Sequence, residues 1–158
     1  MRYSKERVDA AVRHLRARDP VLRDLIRRVG PYRLRPQGDR FGMLVRSILS
    51  QQISTSAARS IRLRVEQLVK PERPSAENLI RLTEGELRSA GVSPQKQTYL
   101  RDLCEKVRAG TVDLSRIGRF GDETVIAELV QVKGIGRWTA QMFLMFSLGR
   151  LDVLPHDD

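Results

Sequence analysis

The stretch Val132-Lys133-Gly134-Ile135-Gly136-Arg137-Trp138-Thr139-Ala140 decides how the rest of this chain is read. Gly-Ile-Gly stands between two apolar patterns of helical spacing: Val125, Ile126, Leu129 and Val130 before it, Ala140, Met142, Phe143, Leu144 and Leu148 after it. The spacing predicts a helix over 122–131, a hairpin over 132–136 and a helix over 137–148. Two glycines two apart let such a hairpin turn its backbone N–H groups outward, at the start of a helix whose dipole favours negative charge, so it suits a phosphate. Lys133 adds a cation able to reach that phosphate. The same pattern also fits a tight interhelical turn in an ordinary bundle.

Outward from the hairpin, apolar residues recur at helical spacing almost everywhere. Val8, Ala11, Val12 and Leu15 form one set, Val21, Leu22, Leu25, Ile26 and Val29 a second, Leu44, Val45, Ile48 and Leu49 a third, and Ala57, Ala58, Ile61, Val65 and Leu68 a fourth. Shorter helices are expected over 75–82 and 83–90, and a longer one over 94–109. Ser75 with Asn78, Thr83 with Glu86, and Ser93 before Pro94 mark helix starts; Gly91 and Gly110 mark stops. The stretches 30–38 and 70–75, each with two prolines, read as loops. The fold is therefore all-α. The helix that begins near Trp138 has almost no polar face, which predicts that it runs through the middle of the protein.

The 158 residues, 41% of them apolar, are enough for one domain spanning 1–158 with a real core. The formal net charge is +10, from 29 Lys plus Arg against 19 Asp plus Glu, an excess that fits a polyanionic partner as well as a solvated arginine-rich surface. Cys104 is the single cysteine, so this chain builds no internal disulfide, four-cysteine zinc site or iron-sulfur cluster, and its neighbours Leu100, Leu103 and Val107 place it in the core. The N-terminus lacks the apolar stretch of a signal peptide and no segment approaches a membrane span. The expectation is an intracellular protein, in a bacterial cytoplasm or a nucleus, monomeric and with no membrane partner.

Helix, Gly-apolar-Gly and helix, followed by Leu154-Pro155-His156-Asp157-Asp158, resembles the helix-hairpin-helix DNA glycosylase superfamily, whose members excise damaged bases from DNA. More of the chain agrees. Phe41 to Ala58, reading FGMLVRSILSQQISTSAA, resembles the helix and turn before the family's base pocket, and Gly91-Val92-Ser93 with Lys96, Tyr99 and Leu100 resembles its next segment. The likeness covers roughly 41–158 and is nearest to the 3-methyladenine, or alkylation, branch.

The resemblance implies a monofunctional glycosylase that hydrolyses the N-glycosidic bond of alkylated purines in duplex DNA, with the motif over about 122–148. It gives the phosphate grip to Lys133, Gly134, Ile135, Gly136 and Thr139, and the catalytic carboxylate to Asp158, counted from Asp152-Val153, with Asp157 as the nearest rival. Breaking the glycosidic bond builds positive charge on the sugar, which a fixed carboxylate stabilises. An aspartate after a proline is also a common helix N-cap. His156 reads as a loop residue and His14 as a surface residue on the first helix. Trp138 stands where bifunctional relatives carry the lysine that forms a Schiff base, so no strand cleavage is expected; its indole can instead line the pocket for a flipped purine, with Met142 one turn on, or be a core residue. Gln52, with Gln51 as its possible substitute, stands at the wedge that fills the space left by the flipped nucleotide, or is simply a polar helix end. Lys133 replaces a proline frequent in the family, and Met142 an aromatic residue frequent in the branch.

No metal or organic cofactor takes part in the implied chemistry, though a monovalent cation could bridge hairpin carbonyls and a DNA phosphate as in relatives. Family members continue for several helices beyond their aspartate, whereas this sequence stops on it. The resemblance therefore implies a fold without its C-terminal helices and, for the 158 residues alone, weak DNA binding and little excision. The rival readings are a glycosylase for oxidised or mismatched bases, which would call for lysine at 138 or a cysteine cluster, and a non-catalytic helix-hairpin-helix clamp or interaction domain, which needs neither the acidic ending nor the tryptophan.

Overall fold

The computed structural model describes residues 4–33 and 35–155. Nine α-helices follow one another: α1 (Lys5–Arg18), α2 (Pro20–Val29), α3 (Arg40–Ser50), α4 (Thr55–Leu68), α5 (Ala76–Leu79), α6 (Glu84–Ser89), α7 (Pro94–Arg108), α8 (Asp122–Leu129) and α9 (Arg137–Phe146), with a 3-10 turn at Ile117–Arg119 among the described residues. None of the described helices is long and apolar enough to cross a membrane.

Local chemistry sets the helix boundaries. Asp19 closes α1 with its backbone N–H on Leu15 and opens α2 by accepting from the amides of Val21 and Leu22, with Pro20 in the first turn. Both Ser75 with Asn78 and Thr83 with Glu86 form complete capping boxes, and Ser93 caps α7 ahead of Pro94. Asp39 caps α3 through the Gly42 amide, and a Cβ at Gly42 would overlap that carboxylate. The three starts read from the sequence, at Ser75, Thr83 and Ser93, are thus capped as expected, whereas the caps at Asp19 and Asp39 are not among those expectations, and the two short elements are shorter than the periodicity suggests.

The core gathers Leu44, Ile48 and Leu49 of α3, Leu103 of α7, Val125 and Leu129 of α8, and Phe143 and Leu144 of α9, all at most 1% exposed. α3 packs on α4, α7 and α9, and α8 packs on α9. Cys104 sits in this core on α7, and burial pushes its thiol up to about 12. The helices α1 and α2 pack on each other, and none of the α2 side chains is buried; Val21 and Val29 are three-quarters exposed.

The expectation for α9 needs correction. Thr139, Ala140, Gln141, Phe143 and Leu144 are buried, but Trp138 is 39% and Phe146 37% exposed. Positions 138, 142 and 146 share one helix face, and that face borders a cleft instead of the core.

Candidate nucleic-acid interface and base cleft

The hairpin joins α8 to α9 through Val130–Gly136. Gly134 has φ +79, a left-handed conformation that favours glycine, and an added Cβ would overlap the ring of Tyr99. Gly136 differs: its φ is −90 and an added Cβ would meet no protein atom within 4 Å. Space beside Gly136 thus faces outward, where a phosphate backbone could approach. Gly136, the N-cap of α9, has no side chain with which to close the helix start, which lies at the positive end of the helix dipole. Ile135 is 4% exposed and its N–H donates to the Val132 carbonyl, so its side chain anchors the turn in the core. Lys133 is exposed, and Thr139, only 8% exposed, borders the cleft at the start of α9.

Three side chains from elsewhere hold this hairpin. The Lys133 backbone N–H donates to Asp102 Oδ2 at 2.8 Å, and Lys106 donates to the other oxygen of the same carboxylate. Burial pushes the Asp102 carboxyl upward, but hydrogen bonds from Lys106 and the Lys133 amide, with the charges of both lysines, bring it below the ordinary aspartate value. Tyr99 covers Gly134, and Gln51 Nε2 donates to the Gly134 carbonyl at 2.6 Å.

The turn after α3 supplies the other lip. Gln51 is half-buried and committed to the hairpin, whereas Gln52 is exposed and has φ +56, unusual for a residue with a Cβ. Of the two glutamines, only Gln52 is therefore presented outward. Lys96 Nζ donates to the Leu49 carbonyl at 2.7 Å, and burial pulls its ammonium below the usual lysine range. Between this turn and α9 lies an open cleft of about 590 Å³, lined by Ser47, Ser50, Gln51, Gln52, Trp138, Thr139, Met142 and Phe146. The structure thus brings Gln52, Trp138, Thr139 and Met142 to one cavity with the hairpin at its edge. Asp158, its rival Asp157, and His156 lie outside the described residues. His14 is exposed on α1.

Sequence reasoning missed Ser47, Ser50 and Phe146 as cleft residues, and Tyr99 and Asp102 as supports of the hairpin. Phe146 could have been found two turns beyond Trp138, and Ser47 with Ser50 as a polar pair on one face of an apolar helix. The contacts of Tyr99 and Asp102 carry no local signature.

The two glycines have separable roles, which a paired substitution tests. Gly134→Ala places a Cβ in a left-handed backbone at a cost of roughly 1–2 kcal/mol and against Tyr99 besides, so lower thermal stability and disrupted DNA binding are expected together. Gly136→Ala is expected to melt like the parent and to lose affinity for duplex alone. Equal melting of both variants in a thermal scan would contradict the assignment.

Residues 45–158 match the family described as HhH-GPD superfamily base excision DNA repair protein, and the chain belongs to that family. Its similarities lie with the 3-methyladenine branch. It is 33% identical over 150 residues to DNA-3-methyladenine glycosylase 1 of Schizosaccharomyces pombe, covering 92% of this chain and 66% of that protein. The crystal structure of a DNA-3-methyladenine glycosidase from Bacillus halodurans superposes with a TM-score of 0.81 at 45% identity, over 90% of this chain and 65% of the other. A Schizosaccharomyces pombe 3-methyladenine DNA glycosylase in complex with abasic DNA gives 0.84 at 33% identity, over 94% of this chain and 75% of its own. The chain thus spans slightly less than two thirds of the length of the first two of these relatives.

Proposed function

We propose that the protein is a monofunctional DNA glycosylase that removes alkylated purines of the 3-methyladenine type from duplex DNA in base excision repair. The observation that carries this reading is the cleft walled by Trp138, Met142 and Phe146, with Gln52 on one lip and the glycine hairpin at its edge. The hairpin and Lys133 hold phosphates, Gln52 enters the base stack, and the displaced purine lies against the Trp138 indole. A cationic alkylated base gains ~1–2 kcal/mol from that face when desolvated. The bond from C1′ to the base nitrogen breaks, the base departs with the electron pair, and a water oxygen bonds to C1′ and releases one proton to solvent, while Asp158 stabilises the cationic sugar. The product is an abasic site. The complex of a relative with abasic DNA and the positive charge of the chain support DNA as partner.

A monovalent cation between the hairpin and a phosphate would share carbonyls already in use. Those of Val132, Gly134 and Gly136 accept from Ile135, Gln51 and Ala140 respectively, and each keeps a second lone pair for a hard cation.

Two measurements test the reading. Borohydride added during reaction is expected to trap no covalent protein–DNA adduct, with nicks appearing only after alkali, because Trp138 cannot form a Schiff base; a robust adduct would move the chain to the bifunctional class. Lys133→Ala is expected to lower the salt slope of duplex binding by about one unit, equally for damaged and undamaged DNA, as phosphate contacts carry no lesion information. An unchanged slope would take Lys133 out of the interface.

A further inference from the structure

Both DNA-facing loops hang from one face of α7. Lys96, Tyr99, Asp102 and Lys106 follow at helical spacing: Lys96 holds the carbonyl at the end of α3, Tyr99 covers Gly134, and Asp102, fixed by Lys106, holds the Lys133 amide. One hydrogen bond ties the two loops directly. Gln51 reaches across 83 residues of sequence to the Gly134 carbonyl. Its neighbour Gln52 is held in a left-handed conformation that a residue with a Cβ adopts only where its surroundings enforce it. The turn carrying Gln52 is thus pinned by Lys96 before it and by Gln51 beside it.

We propose that Gln51 is a positioning residue, whose amide, bonded to the Gly134 carbonyl, keeps the Gln52 turn in register with the hairpin so that phosphate capture delivers Gln52 to the base stack. This rests on the glycosylase reading above and names a residue on which its duplex interrogation depends. The physical need is geometric. The hairpin finds only the phosphate backbone, which is the same at every step, whereas the inserted side chain must meet the stack at a fixed distance from the gripped phosphate. A flexible turn would lose that register even with both contacts individually intact.

The test uses a duplex with an abasic-site analogue opposite 2-aminopurine, whose fluorescence reports insertion into the stack, beside an undamaged duplex. Gln51→Met removes the donor while keeping length and apolar bulk. It is expected to melt near the parent temperature and bind undamaged duplex within about twofold, while the fluorescence response and the preference for the abasic duplex fall about tenfold. Gln52→Ala should then add little in the Gln51→Met background, the non-additivity expected of two residues acting as one unit. Gln51→Asn, with the amide one methylene short, should fall between. An intact response in Gln51→Met, or losses at 51 and 52 that simply multiply, would overturn the coupling. So would a parallel fall in melting temperature and in affinity for undamaged duplex, which marks plain support of the fold. If the parent protein itself gave no fluorescence response and no preference for the abasic duplex, the glycosylase reading would fail, and the coupling with it.

Discussion

In a full-length form, Asp158→Asn is expected to slow base release by two to three orders of magnitude while leaving affinity for duplex unchanged. The substitution keeps the shape but removes the charge and turns one acceptor oxygen into an NH2 donor, so the state that carries positive charge on the sugar is affected most. The loss corresponds to ~3–4 kcal/mol of transition-state stabilisation, the range seen for preorganised electrostatic groups. Bases that leave as neutral species from a cationic nucleoside need less help, so 7-alkylated and 3-alkylated purines should suffer least and neutral lesions most. Single-turnover release from duplexes carrying each class measures this. If Asp157→Asn abolished release and Asp158→Asn did not, the carboxylate would be one residue earlier.

The second large effect is on stability. Phe143 is fully buried at the centre of α9, and Phe143→Ala is expected to cost ~3–5 kcal/mol, transfer and cavity together. For a protein of this size that lowers the melting temperature by roughly 6–20 °C. Phe146, one turn further along the same helix, is 37% exposed on the cleft wall. Phe146→Ala should cost about 1 kcal/mol or less of stability. Thermal scans of the two variants separate a residue that holds the fold together from one that lines the cleft; similar melting temperatures would contradict that division.

Helices and their starts were legible because they depend on neighbours in sequence. Ser75, Thr83 and Ser93 cap the amides three residues on, and the periodicity of Leu44, Ile48 and Leu49 reports the buried face of α3. The Gly-Ile-Gly hairpin was legible for the same reason, as was the pairing of α8 with α9. Periodicity does not distinguish a face that meets the core from one that meets a cavity, since apolar side chains serve both. Hence Trp138, Met142 and Phe146 gave the impression of a central helix although they border open space. The contacts of Asp102 with Lys133 and of Gln51 with Gly134 join residues 31 and 83 positions apart, and such pairs leave no mark in a local window. Ile135 shows the converse: its place between two glycines suggests an outward role, while its own apolar side chain takes it inward.

Cys104 bears on how such a protein survives its surroundings. Electrophiles that methylate purines, and so would generate the proposed substrates, also attack thiolates. With its only thiol enclosed in the core on α7 and held protonated by burial up to about 12, the chain offers these reagents almost no thiolate. The reagents that generate the proposed substrates therefore meet a thiol slow to react.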